Sequence, residues 1–121
     1  MRVSKDLVAA AATPIVLGVL ARGEDYGYSI LRRIKETSGG VLDWSEGMLY
    51  PLLHRLQRQG LVAARWGGGG GGGGEGDSGR RRKYYGITTA GRTELHRQAA
   101  ALNSVNQTLQ GLLPPRPFEE K

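Results

Sequence analysis

Eight consecutive glycines, Gly67 to Gly74, sit just past the middle of this chain. Such a run does not form the interior of a helix or a strand. Each glycine loses the most backbone freedom on ordering and brings no side chain to pack. The run therefore splits the chain into two parts that must meet across a loop. After Glu75 to Gly79 come four cations in a row, Arg80, Arg81, Arg82 and Lys83. Leu61 to Trp66 before the loop and Lys83 to Thr88 after it read as strands. Sixteen residues separate them, too many for a tight hairpin turn. The expectation is a β-hairpin with a long, flexible, solvent-exposed tip over residues 67–79.

Upstream, the pattern is helical. A first helix covers about Ser4 to Ala21. Thr13-Pro14 reads as an N-cap followed by proline at the first helical position, so either the helix starts there or an earlier turn kinks into it. Ile15, Val16, Leu17, Val19 and Leu20 are apolar nearly all round and should be buried. A second helix runs from Gly27 to Thr37, with Ile30, Leu31 and Ile34 on one face and Gly39-Gly40 closing it. Ser45 caps a third, which runs to Gln59 with Gly60 just beyond. Its core stripe is Leu49, Leu53 and Leu56, and Pro51 should bend it slightly. Tyr50, His54, Arg55 and Arg58 lie on the other face.

Downstream, residues 89–113 read as one helix. Leu95, Leu102 and Leu109 are spaced by seven, with Val105 and Leu112 three residues after the second and third. That is a heptad seam, broken once at Gln98. A helix of ~25 residues is ~37 Å long, more than a domain this small can cover, so the seam implies a homodimer. Pro114, Pro115 and Pro117 stop the helix, and 114–121 reads as a disordered tail.

Seventeen Lys and Arg against eleven Asp and Glu give a net charge of +6 and a pI near 10.1, which points to a polyanionic partner. With no cysteine, disulfides and thiolate metal sites are excluded. His54 and His96 are far apart in sequence, so neither a metal nor another cofactor is expected. No serine, histidine and aspartate fall at motif spacing. The glycine run lacks the Lys-Ser/Thr of a phosphate-cradling loop, so catalysis is not expected. The longest apolar run, Ile15 to Ala21, is far short of the ~20 residues a membrane span needs. The last helix carries too little net charge for a membrane-surface helix. A cytoplasmic protein is expected.

Three helices, two strands around a loop, then a helix: the order is that of a mainly α fold with a small β-hairpin, a winged helix-turn-helix over 1–88 with its wing at 61–88. A dimerisation helix follows at 89–113. The third helix of such a fold enters the major groove of double-stranded DNA, and the wing reaches flanking phosphates. Arg80 to Lys83 then meet the phosphate backbone. Ser45 caps a helix end aimed at phosphate. Tyr50 and His54 face base edges or phosphate, and Arg55 adds charge one turn after Pro51. Tyr28 suits core or phosphate equally. Trp44 and Trp66 read as core or interface fillers. Tyr85 should pack inward with Ile87 while Tyr84 faces the other way.

The segments "YGYSILRRIKETSGG", "WSEGMLYPLLHRLQRQGLV", "GRRRKYYGIT" and "TAGRTEL" together resemble the PadR family of bacterial transcriptional regulators, in particular its short members with one C-terminal helix. The resemblance implies a homodimeric repressor on a palindromic operator. It implies DNA contacts from Tyr28, Ser45, Met48, Tyr50, Pro51, His54, Arg55 and Arg80 to Lys83. Met48 stands where the family usually has threonine, which removes a hydroxyl contact. The resemblance also implies a dimer built by the first and last helices, here through Leu95, Leu102, Val105, Leu109 and Leu112. An apolar cavity at its centre would accept a small aromatic or apolar effector near Ala99, Leu102 and Asn106. Leu102 occupies the position where some short members carry a ligand-stacking tryptophan, so that stacking is lost. Two readings stay open: a repressor released by such a ligand, or a DNA-binding or interaction module without a small-molecule site, governed by abundance or a partner protein. The dimer centre separates them.

Overall fold

The computed structural model describes residues 3–67 and 81–114. Within them the order is α1 (Lys5–Leu20), β1 (Asp25–Tyr26), α2 (Gly27–Thr37), α3 (Glu46–Arg58), β2 (Val62–Gly67), β3 (Arg82–Ile87) and α4 (Thr89–Leu112). The fold class read from the sequence holds. Gly67, the first residue of the expected 67–79 tip, is instead the last residue of β2, where it pairs with Arg82; the rest of that tip, Arg80 and the tail from 115 lie outside the described residues.

Helix α1 starts at Ser4, whose hydroxyl accepts from the Leu7 amide at 3.2 Å, and runs unbroken through Pro14. The version beginning at Thr13 is not the one adopted. Pro14 has no N–H for the carbonyl one turn back. That single missing bond is offset by burial of Ala12, Pro14, Val16, Leu17 and Leu20, since each large apolar side chain buried contributes about 1.5–3 kcal/mol. Ile34, Leu53, Leu56 and Trp44 close the same core from the other helices. Ile15 and Val19 are only half-buried.

Both α2 and α3 end in the same backbone device. After α3, Gly60 takes a φ of 77°. The Leu61 amide then donates to the Leu56 carbonyl at 2.9 Å and the Gly60 amide to Gln57 at 3.0 Å. Gly39 (φ 67°) repeats this after α2, with Gly40 donating to Lys35 and Gly39 to Glu36. These are Schellman closures, which require a residue free to adopt the left-handed region.

The sheet has three strands in the order β1-β3-β2, all antiparallel. The hairpin expected from the sequence is therefore joined by a strand between α1 and α2 that the sequence reading lacks. Two residues cannot display an alternation, so Asp25–Tyr26 carries no periodic signal. Asp25 is buried and accepts from its neighbour's amide at 2.9 Å, from Ser29 Oγ at 2.7 Å and from Arg33 Nη1 at 2.8 Å. Arg33 also donates to the Val19 carbonyl at 3.3 Å. One carboxylate thus ties α1, β1 and α2 together.

Thr88 joins the wing to α4. Its amide donates to the Leu61 carbonyl at 3.1 Å and its hydroxyl to the Gly60 carbonyl at 2.7 Å, while the hydroxyl oxygen of Thr88 itself accepts from the Gly91 amide at 3.0 Å. Beyond this junction α4 leaves the core. Leu95 packs on the core of its own chain, but Leu102, Val105, Leu109 and Leu112 are exposed. Gln98, the break in the seam, donates to Glu94 at 2.5 Å.

Candidate nucleic-acid interface

Strand register decides which wing cations lie together. Val62 pairs with Ile87, Ala64 with Tyr85 and Trp66 with Lys83. Directly opposed residues share a face, and Val62 and Tyr85 are buried, so this is the face turned toward the helices. Arg65 with Tyr84 and Gly67 with Arg82 form the outer face. Adjacent cations in the sequence thus leave the strand on alternate faces, although Arg82 still borders the groove shared with Arg81 and Lys83.

On the outer face the cations are stacked. Arg65 lies 5.0 Å from the Tyr84 ring centre and is held edge-on by Glu24, its Nε donating at 3.0 Å. This pairing pulls the Glu24 carboxyl below its ordinary value. Arg82 lies 4.5 Å from the Tyr26 ring, and Tyr26 meets Tyr84 edge-on at 5.7 Å. On the helix-facing side, Arg81 and Lys83 lie 5.7 and 5.8 Å from the Trp66 ring.

A groove of about 640 Å³ separates α3 and the start of α2 from the wing. Tyr28, Tyr50 and His54 line one wall, and Trp66 and the cations Arg81, Arg82 and Lys83 the other. Tyr28 is exposed, with Arg32 above its ring at 5.9 Å. His54 is exposed. Tyr50 is half-buried, its phenol packed on Gly27 with Cε1 2.9 Å from where a Cβ would stand. The other expected contact residues sit elsewhere. Ser45 caps α3, accepting from Met48 at 3.2 Å. Met48 packs against the core, and Pro51 is exposed. Arg55 donates to Thr13 Oγ1 at 3.2 Å, toward α1 and away from the groove. Trp44 is core, as read. Trp66 does not fill the core: it is 56% exposed, because the strand carries it past the last core residue. Ala99 and Asn106, assigned to an effector cavity, lie on the exposed part of α4 with Leu102.

Burial raises Tyr50 above the ordinary 10.0, with Glu46 adding to it, and burial likewise raises Tyr85, with Tyr50 adding. A raised folded value means that the fold favours the neutral phenol. Its contribution is complete below pH ~10 and is lost as pH rises through the raised values. Thermal melts from about pH 9 to about pH 11 should show falling stability, with a shallower fall in Tyr50→Phe. An identical slope in the two proteins would contradict this assignment.

A helical core with a capped helix facing a hairpin across a basic groove defines a winged-helix protein. The model of the "Transcriptional regulator PadR-like family" matches residues 16–97, and the chain belongs to that family. Among solved structures it is similar to a PadR-like transcriptional regulator of Bacillus cereus, 25% identical with a TM-score of 0.74, over 93% of this chain and 100% of that one. A PadR family regulator of Eggerthella lenta is 28% identical with a TM-score of 0.74, over 92% and 88%. A transcriptional regulator from Clostridium thermocellum shares the fold at a TM-score of 0.78 and 23% identity, over 91% and 100%. The chain also matches "Transcriptional regulator YqjI" of Escherichia coli, 34% identical over 51 residues, which are 42% of this chain. It spans about a quarter of the length of the curated relatives it matches. Among the described residues, no helix is long and apolar enough to cross a membrane, and no group of three or more His, Asp or Glu is placed to hold a metal.

Proposed function

We propose that the chain acts as a homodimeric repressor on a palindromic operator. Helix α3 presents His54 to base edges, with Tyr28 at its flank, while Arg81 and Lys83 of the wing hold the phosphate backbone. The observation that carries this reading is the convergence of His54 with Arg81 and Lys83 on one groove, drawn from two stretches of sequence well apart in the chain. The apolar strip left open on α4 supports the dimer. Leu102, Val105, Leu109 and Leu112 are exposed on a helix of 24 residues, and burying each contributes about 1.5–3 kcal/mol. A two-fold dimer reads a two-fold site. A small apolar effector entering between the two strips, near Ala99, Leu102 and Asn106, would respace the α3 helices and release the operator.

Sedimentation equilibrium tests the dimer. Leu102→Glu combined with Leu109→Glu should give folded monomers, because the first half of α4 keeps its own packing on α1 and the wing. Operator affinity should then drop about a hundredfold or more, as the two half-sites are no longer bound together. A variant that still sediments as a dimer would contradict the α4 interface.

A further inference from the structure

We propose that Trp66 is a positioning residue for DNA binding: its exposed indole holds Arg81 and Lys83 on the helix-facing side of the wing, where both cations meet phosphates flanking α3. This rests on the reading of the wing as a backbone contact. Tryptophan is seldom left on the surface, yet this ring is 56% exposed at the end of β2. The two cations lie 5.7 and 5.8 Å from its centre, within the ~6 Å reach of a cation–π contact. Lys83 stands directly opposite Trp66 in the strand register, and Arg81, just before β3 begins, reaches the same ring.

The geometry suits recruitment of a phosphate. A ring beneath a guanidinium occupies its flat face and leaves its N–H edge for an anion. The outer face shows the opposite use: Arg65 stacks on Tyr84, but its N–H edge is taken by Glu24. Long cationic side chains lose rotamer freedom when they bind, and a ring that already restrains them reduces that loss. Trp66 carries no charge, so its effect on affinity has to pass through the cations.

The test is a double-mutant cycle with a fluorescein-labelled duplex of random sequence, because non-specific binding reads phosphate contacts alone. Anisotropy titrations over a range of salt are run on the wild-type chain, Trp66→Ala, Trp66→Phe, Arg81→Ala with Lys83→Ala, and the triple variant. Circular dichroism melts accompany each. Trp66→Ala should weaken binding about fivefold and lower the salt slope toward the loss of one contact, ~0.9, per protomer. Trp66→Phe should recover most of both. In the background lacking both cations, Trp66→Ala should change nothing further. Equal losses with and without the cations, or a loss of affinity at an unchanged salt slope, would show the indole touching DNA itself and overturn the proposal. So would a Trp66→Ala variant that binds as the wild type does. A wild-type chain that binds no duplex would instead remove the wing-contact reading on which it rests.

Discussion

Gly91→Ala should be among the most destabilising single methyl additions available in this chain, costing about 2–3 kcal/mol. Gly91 is buried in the first turn of α4. A Cβ there would overlap the Leu61 carbonyl oxygen and stand 2.8 Å from Ile87 Cγ1. The carbonyl is not free to retreat, because it accepts from the Thr88 amide at 3.1 Å, and Thr88 in turn caps α4 and bonds Gly60. The methyl group therefore displaces the joint that sets α4 against the wing. For a domain of this size the melting temperature should fall by more than about 10 °C. Gly18→Ala is the control. It lies in the last turn of α1 with nothing within 4 Å of a Cβ, so alanine should stabilise by about 0.5 kcal/mol. Calorimetry that found the two substitutions alike would contradict the packing at the α4 joint.

Arg81→Ala with Lys83→Ala should have the largest effect on binding. Two phosphate contacts per protomer make four in a dimer, so the slope of log K against log salt should flatten by ~3.6. Affinity near physiological salt should fall about a hundredfold or more. Arg65→Ala, which adjoins the same hairpin, should leave the slope unchanged, since its N–H edge faces Glu24 on the outer side of the sheet. If Arg65 and the Arg81–Lys83 pair proved equivalent, strand register would not be what sorts the wing cations.

Much of this architecture is written locally. Ser45 announces α3 because its hydroxyl accepts from Met48 three residues on, and Gly60 ends it because the closing turn needs a positive φ. The 62–67 and 82–87 strands and the Leu49, Leu53, Leu56 stripe are visible for the same reason: each is a short-range pattern with one physical cause. What stayed hidden depends on contacts distant in sequence. Strand β1 exists through pairing with Tyr84 and Tyr85, some sixty residues later. The reach of Arg33 back to Val19 was equally out of sight, although Asp25, Ser29 and Arg33 recur at a spacing of four that a search for helix-face networks would have found. The exposure of Trp66 is not legible in the sequence for a general reason. The side chain has the parity of buried Val62, and residue type favours burial, but the core ends before the strand does. The run of cations reads as one unit in the sequence; the register turns Arg82 to the face opposite Lys83, although Arg81, Arg82 and Lys83 all border the groove. Arg55 looked well placed on the α3 face, and its bond to Thr13 depends on where α1 crosses.

The most direct test of the account as a whole is selection of duplexes from a random pool by the wild-type protein, followed by hydroxyl-radical footprinting of the winner. The account predicts a two-fold-symmetric sequence, protected at half-sites one helical turn or a multiple of it apart, and bound at least about a thousandfold more tightly than unrelated DNA. A folded protein that enriches no sequence, or a footprint that stays the same after Arg81 and Lys83 are replaced, would contradict it.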